Sequence, residues 1–193
     1  NIFPTDEHEV LKKIVDGFKI FSLANISFTN ALLTKTKETT AFLKDLNNQV
    51  SKEDTANLYV IHGTPRLDTI GIDSISYTAS FLELISENNF TCSLEGAYPY
   101  FQVNDAIKSK IEKLGLKKVQ VIPLLLVSGN HYINDMFEIK EDLEDKFEAF
   151  IVPSITQSEQ FNLIELPMIQ TFIEKNIQDS FRMMGISHKE FTY

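Results

Sequence analysis

Two histidines and one glutamate are the residues of this chain whose types and spacing could do chemistry. His62, Glu95 and His131 each follow an apolar run, directly or after a short turn of small residues. Two imidazoles and one carboxylate form a partial coordination shell that suits Co²⁺, Ni²⁺, Fe²⁺ or Zn²⁺. An open shell fits a protein that passes its metal on or activates a water, and either imidazole can take up a proton near neutral pH. The spacing leaves these roles open, and the simpler alternative is that each histidine is a hydrogen-bonded turn residue.

The apolar runs that precede these residues have the composition of buried parallel strands. They cover residues 57–61, 90–94 and 119–127, and their ends are roughly 35 residues apart, the size of a strand–helix–strand unit. Because the carboxyl ends of parallel strands meet at one edge of a sheet, we expect the three side chains to converge there.

The rest of the alternation supports the same fold class. Segments with apolar residues at helical spacing separate the runs, and a short strand at residues 149–152 precedes a closing helix from about Leu166. The sequence therefore predicts an α/β fold with a doubly wound parallel sheet in residues 56–182, followed by a tail at residues 183–193. We expect Pro123 to force a bulge or a break in the third strand.

Residues 1–50 predict a partial N-terminal α/β module. Leu11, Ile14 and Phe18 recur on one face of its first helix. We expect two strands and two helices here: the end of a strand at residues 1–3, a helix from residue 4, a strand at residues 19–25 and a helix at residues 27–47. Because two strands leave an exposed sheet edge, we expect a missing N-terminal segment or a partner subunit in a homo-oligomer to complete the module.

Composition excludes several classes of partner. The 193 residues carry a formal charge of −9 and no basic run, which argues against nucleic acid and anionic membrane surfaces. No apolar stretch approaches the roughly 20 residues of a membrane span. One cysteine, Cys92, excludes an internal disulfide and favours a cytoplasmic location, although an exported form stays open. We expect Cys92 to be buried and His8 and His188 to be exposed.

Four stretches of the chain resemble one known family, the anaerobic single-chain sirohydrochlorin cobaltochelatases of the class II chelatase superfamily. Residues 121–136, VIPLLLVSGNHYINDM, resemble the family's apolar strand with proline, which is followed by Gly-Asp-His and then Asn-Asp-Met. His62-Gly63-Thr64 and the segment 95–99 resemble its His-Gly-Thr and Glu-Gly-Tyr-Pro strand ends, and Glu7 matches an early acidic residue. The resemblance extends over essentially the whole chain.

This resemblance implies a chelatase-like fold in which two α/β domains enclose a cleft for a tetrapyrrole. It implies that His62, Glu95 and His131 bind the incoming metal, and that His62, His131 and Glu7 are catalytic and take up the pyrrole protons. The implied reaction is insertion of Co²⁺ into sirohydrochlorin in anaerobic cobalamin biosynthesis, with Ni²⁺, Fe²⁺ or Zn²⁺ as alternative metals.

Residues beside these strand ends are candidates for contact with the macrocycle. Arg66 could bind a substrate carboxylate, and Tyr98 and Tyr132 flank the expected site. Two departures from the family's pattern concern the same loops: Asn130 replaces an Asp before the second histidine, and Ala97 is an additional residue.

Three alternatives remain at this point. The first is an iron, nickel or haem-related chelatase of the same superfamily. The second is a tetrapyrrole- or metal-binding homologue without catalytic activity. The third is an unrelated zinc hydrolase that uses the same two histidines and one glutamate.

Overall fold

The computed structural model describes residues 2–127, 129–155 and 160–185, apart from the side chains of residues 130–133. Helices and strands alternate through most of this chain. The helices are α1 (Asp6–Phe21), α2 (Thr36–Val50), α3 (Ile72–Ile85), α4 (Tyr100–Lys113), α5 (Asn130–Glu144) and α6 (Pro167–Met183), with a 3₁₀ turn at Leu163–Glu165. The strands are β1 (Ala56–Gly63), β2 (Asn89–Glu95), β3 (Lys118–Leu124) and β4 (Glu148–Ile151).

Within the described residues, the four strands form one parallel sheet in the order β2-β1-β3-β4. The chain moves outward from β1 to β2, then crosses back over β1 to β3 and continues to β4. The direction of winding therefore reverses between β1 and β3. In open α/β sheets, ligands bind in the crevice at the carboxyl ends of the strands at such a reversal.

Helices cover both faces of the sheet, which confirms the predicted doubly wound α/β fold. Side chains of β1 alternate between two cores: Leu58 and Val60 lie in one, and Tyr59 and Ile61 in the other. The first core includes residues of α4 and α5, namely Ile107, Ile111, Met136, Ile139 and Leu143. The second includes residues of α2, α3 and α6, namely Phe42, Leu43, Leu46, Ile75, Leu82 and Ile169.

Pro123 lies in β3 without the predicted bulge or break. Its pairing with Val60 continues an unbroken register between β1 and β3. The carbonyl of Val121 accepts a bond from the Val152 N–H on the β4 side. Since main-chain groups alternate along a strand, the proline nitrogen also faces this side, where β4 has already ended. The missing N–H of Pro123 therefore removes no hydrogen bond between strands of the sheet.

The prediction of two strands in the first fifty residues is wrong: neither strand forms in the described part of the chain. Ile2 and Phe3 are buried in the core outside any described strand, and the Ile2 carbonyl accepts a hydrogen bond from the Leu33 N–H at 2.8 Å. Helix α1 continues through Phe21, so the strand predicted at residues 19–25 does not form. Its apolar residues Ile20, Phe21 and Leu23 are exposed, and none of the described strands pairs with this segment.

The second helix of this region begins and ends later than its pattern predicts. It spans Thr36–Val50, whereas residues 27–35 are irregular. Buried residues of α2 pack in the same core as Tyr59 and Ile122 of the sheet. The division into a module at residues 1–50 and a domain at residues 56–182 stays a prediction.

The C-terminal elements follow their predicted positions. Strand β4 and helix α6 match the strand expected at residues 149–152 and the helix expected from Leu166. Of the tail predicted at residues 183–193, residues 186–193 lie outside the described chain. Among the helices described here, none is long and apolar enough to cross a membrane.

Candidate active site at the carboxyl edge of the sheet

A cavity of about 350 Å³ opens at the reversal point between β1 and β3. His62 and Gly63 at the end of β1 form one side. The chain after β3, from Leu124 to Val127, forms an apolar wall, and the N-terminal segment contributes Ile2, Phe3, Thr5 and Glu7. Among the described residues, the cavity thus combines a mostly apolar lining with the imidazole of His62 and the carboxylate of Glu7, a composition typical of an organic-ligand site.

The structure brings His62 and Glu95 together, as the sequence predicts. Nδ1 of His62 lies 3.7 Å from Oε1 of Glu95 and 3.3 Å from the carbonyl oxygen of Gly63. Both side chains are partly exposed, at 31% and 40%. Two ligands that each lie about 2.1 Å from one metal ion cannot be more than about 4.2 Å apart. The separation of Nδ1 and Oε1 satisfies this limit, so these two atoms can contact the same ion when Nδ1 carries the lone pair.

The contacts of the His62 ring also favour one tautomer. A carbonyl oxygen can only accept a hydrogen bond, so the contact with Gly63 favours a hydrogen on Nδ1 and a lone pair on Nε2. Histidines that bind metals commonly donate their second ring nitrogen to a carbonyl or a carboxylate. Gly63 and Glu95 both face Nδ1. With the hydrogen on Nδ1 the lone pair lies on Nε2, and with the hydrogen on Nε2 the Nδ1 atom and Glu95 can contact one ion.

Glycines allow the two strand ends to approach closely. Gly63 and Gly96 have φ values of 82° and 80°, the left-handed region that glycine adopts without strain. A β-carbon on Gly96 would lie 1.7 Å from the carbonyl oxygen of Thr64. Any other residue at these two positions would push β1 and β2 apart and separate His62 from Glu95.

Glu7 reaches the cavity because the chain before α1 is anchored to the core. Ile2 and Phe3 are buried, and the Pro4 carbonyl lies so close to Gly71 that a β-carbon there would be 2.5 Å away. The hydroxyl of Thr5 donates a 2.7 Å bond to Oε2 of Glu7. Glu7 therefore lines the same cavity as His62 and lies at the exposed start of α1.

Tyr98 lies on the loop after β2 with its side chain in solvent. It is 74% exposed and has a φ of 60°, unusual for a residue that is not glycine. Ser93 holds this loop: its N–H donates to the Tyr98 carbonyl at 3.1 Å, and its hydroxyl donates to the Ala97 carbonyl at 2.6 Å. The loop thus presents an aromatic ring at the edge where His62 and Glu95 meet.

Arg66 already has a partner in the structure. Its guanidinium donates two bonds to the Asp68 carboxylate, at 2.9 and 2.7 Å, and both side chains are largely exposed. This pairing raises the pKa of Arg66 and lowers the pKa of Asp68. A substrate carboxylate that binds Arg66 must compete with Asp68.

His131 and Tyr132 lie in the first turn of α5, directly after the loop that follows β3. Their side chains lie outside the described part of the structure, so their predicted roles stay predictions. Among the described side chains, no group of three His, Cys, Asp or Glu residues is arranged to hold a metal. The described residues supply two members of the expected set, His62 and Glu95.

Two features of this region were missed or wrongly predicted from the sequence. His8 is buried rather than exposed and contacts the ring of Phe28, with centroids 4.9 Å apart. Burial of His8 lowers the pKa of its imidazole. The Thr64 hydroxyl is buried and has no hydrogen-bond partner among the described residues, which no sequence pattern indicates. Cys92 is buried as predicted, and burial raises the pKa of its thiol. His188 lies outside the described residues.

Comparison with known families decides what kind of protein this site belongs to. The model of the cobalt chelatase (CbiK) family matches residues 1–179. The chain belongs to this family. Membership supports a metal-insertion enzyme that acts on tetrapyrroles, and the predicted family resemblance is confirmed.

Two solved structures are similar to this chelatase, and the first of them shares its fold. SirB from Bacillus subtilis, solved with Fe³⁺, aligns with a TM-score of 0.59 at 14% identity and covers 93% of this chain and 68% of its own. A protein from Marinobacter aquaeolei VT8 named CbiX, for cobalamin (vitamin B12) biosynthesis, aligns with a TM-score of 0.47 at 17% identity over 66% of this chain and 98% of its own. None of the curated proteins compared matches the chain.

Proposed function

We propose that this chelatase inserts Co²⁺ into sirohydrochlorin at the cavity between β1 and β3. The observation that carries the proposal is the pairing of His62 with Glu95, 3.7 Å apart, beside an apolar cavity that Glu7 also lines. This pairing supplies metal ligands and proton acceptors next to a surface suited to a flat macrocycle. The domain at residues 56–182 provides the sheet edge, and the N-terminal module at residues 1–50 provides Glu7. A tail at residues 183–193 follows.

The reaction requires a balance of metal and protons. The divalent ion enters as the two pyrrole N–H groups lose their protons, so one M²⁺ replaces two H⁺ at the centre of the ring. We assign His62, Glu95 and His131 to the incoming metal, because neutral imidazole and carboxylate bind borderline divalent ions weakly enough to release them when the shell is incomplete. The same donors serve Ni²⁺, Fe²⁺ or Zn²⁺, so selectivity among these metals must come from elsewhere.

Proton uptake is the second requirement. We propose that His62, His131 and Glu7 accept the pyrrole protons, since imidazole titrates near neutral pH and Glu7 is exposed to solvent that can carry a proton away. Arg66, Tyr98 and Tyr132 would contact the rim of the macrocycle. Since Cys92 is the single cysteine and is buried, we also propose the reducing cytoplasm as the site of the reaction.

A second candidate is favoured by the charges near the cavity. The segments 2–7, 62–71, 95–101 and 124–136 carry one basic residue, Arg66, and five acidic residues: Asp6, Glu7, Asp68, Glu95 and Asp135. Such a balance repels a macrocycle with many peripheral carboxylates and favours a haem-type macrocycle with few. The second candidate is therefore insertion or removal of iron in a less carboxylated tetrapyrrole.

An absorbance assay separates these functions. The purified chain is mixed with Co²⁺ and sirohydrochlorin, then with Fe²⁺ and a porphyrin bearing few carboxylates, and each rate is compared with the spontaneous rate. The proposal expects cobalt insertion that His62→Ala abolishes and the remote control Asp105→Asn retains. Binding of both macrocycles without turnover would identify a non-catalytic homologue and reject the proposed enzyme.

A further inference from the structure

Ser93 is a buried polar residue near the end of β2 that lies against both strand ends of the site. It is 2% exposed and pairs with Ile61 of β1. A β-carbon on Gly63 would lie 3.0 Å from the β-carbon of Ser93. Ser93 therefore packs against the residue that follows His62, and it precedes Glu95 by two positions in its own strand.

The chain that leaves β2 folds back along the free side of this strand. In the sheet order β2-β1-β3-β4, β1 is the one described neighbour of β2. On the other side, Pro99 forms an isolated parallel bridge with Ser93, and the Ser93 N–H donates to the Tyr98 carbonyl at 3.1 Å. The Ser93 hydroxyl donates to the Ala97 carbonyl at 2.6 Å. Both donors of Ser93 thus hold the turn at residues 95–98.

These two bonds hold the peptide groups on either side of Tyr98. The Ala97 carbonyl belongs to the peptide group before Tyr98, and the Tyr98 carbonyl belongs to the one after it. Tyr98 has a φ of 60°, which residues other than glycine adopt rarely and keep when the surrounding structure enforces it. Ser93 supplies this constraint, and its hydroxyl is the part that alanine cannot replace.

Glu95 comes directly before the constrained part of the turn. Its carboxylate is 40% exposed, so its position depends on the backbone that carries it. Gly96 is packed against the Thr64 carbonyl on the β1 side, and Ser93 fixes Ala97 and Tyr98 on the other side. The backbone of Glu95 is therefore held between the end of β1 and the bonds of Ser93.

We propose that Ser93 is a positioning residue of the proposed metal site, which keeps the Glu95 carboxylate opposite Nδ1 of His62. This inference rests on the proposed function and deepens it by naming a residue that acts on the incoming ion through Glu95. Residues that orient a metal ligand without touching the ion commonly change metal affinity by a large factor when they are replaced. Alanine at position 93 leaves the Ala97 carbonyl without its donor and allows the turn to move.

The test is a double-mutant cycle on Co²⁺ affinity with Ser93→Ala and Glu95→Gln. The wild type, both single variants and the double variant are titrated with Co²⁺ in competition with a coloured chelator, which extends the range to weak binding. Thr78→Val is the matched control, because the Thr78 hydroxyl is buried on α3 and also donates to a backbone carbonyl, that of Ser74, at 2.9 Å. Thermal unfolding records the stability of every variant.

We expect Ser93→Ala to weaken Co²⁺ binding roughly tenfold when Glu95 is present. In the Glu95→Gln background the same substitution should have little further effect, because the ligand on which Ser93 acts is already lost. Thr78→Val should bind Co²⁺ like the wild type, even if its thermal midpoint falls as far as that of Ser93→Ala.

Three results would overturn the inference and leave the proposed function intact. They are unchanged Co²⁺ affinity in Ser93→Ala, an equal loss with and without Glu95, and an equal loss in Thr78→Val. The last of these would assign the effect to stability alone. Failure of the wild-type chain to bind Co²⁺ would instead reject the proposed function together with the role of Ser93.

Discussion

Gly63 and Glu95 approach so closely that a β-carbon on Gly63 would lie 2.0 Å from the Glu95 carbonyl oxygen. The contact joins the carboxyl ends of β1 and β2 at the level of the two side chains that form the site. Only glycine at position 63 therefore allows the short distance between His62 and Glu95.

Gly63→Ala should therefore damage both stability and activity. Left-handed backbone costs about 1 kcal/mol for alanine, and the clash with β2 adds a displacement, so we expect a total loss of about 3 kcal/mol or more. Gly115→Ala is the matched control, since Gly115 also has a positive φ, 72°, but has open space around its α-carbon. Urea unfolding of both variants measures the difference. If both variants lose the same free energy of unfolding, the close approach of β1 and β2 does not contribute to the loss.

His62→Ala and Glu95→Gln should abolish metal insertion with little change in the free energy of unfolding. Both side chains are partly exposed and neither belongs to the core clusters, so we expect stability changes within about 0.5 kcal/mol. Titration of each variant with Co²⁺, followed by the visible absorption of the ion, tests whether the loss is one of metal binding. Loss of activity with unchanged Co²⁺ binding would assign the residue to proton transfer instead.

The sheet and the meeting of His62 with Glu95 could be predicted because apolar runs and strand-end motifs are local patterns. The strand predicted at residues 19–25 could not be distinguished from the end of a helix, since a short apolar run fits either. The burial of His8 depends on Phe28, which lies far along the chain. Likewise, the sequence showed that Leu11, Ile14 and Phe18 share a face but not that this face is exposed.

Two substitutions at Tyr98 distinguish the effect of its strained backbone on stability from the effect of its ring on macrocycle binding. Tyr98→Gly relieves the positive φ but removes the ring, whereas Tyr98→Phe keeps both the ring and the strain. We expect the glycine variant to be at least as stable as wild type and to bind tetrapyrrole several-fold more weakly. The phenylalanine variant should retain wild-type affinity. Thermal unfolding and fluorescence titration measure the two effects, and normal binding by the glycine variant would remove Tyr98 from the site.

The burial of His8 predicts a loss of stability in mild acid. Burial lowers the pKa of this imidazole below its ordinary value of 6.5, so the unfolded chain binds a proton more readily than the folded chain. Stability contributed by the neutral ring is thus fully present above about pH 6.5 and is lost as the pH falls from there through the lower pKa of the folded chain. His8→Phe should reduce the difference in unfolding free energy between pH 7.5 and pH 5.5. An identical difference in wild type and variant would place the pH dependence elsewhere.

The ion pair of Arg66 with Asp68 predicts how the site discriminates among tetrapyrroles. Asp68→Asn removes one negative charge and leaves the Arg66 guanidinium available to a substrate carboxylate. Binding of a porphyrin with many carboxylates, such as uroporphyrin, should strengthen relative to one with few, such as mesoporphyrin, and the gain should shrink as salt is added. Asp105→Asn removes the same charge from an exposed position on α4 and should leave the ratio of the two affinities unchanged. If both variants shift the ratio equally, the effect belongs to the net charge of the chain, and Arg66 has no direct contact with the substrate.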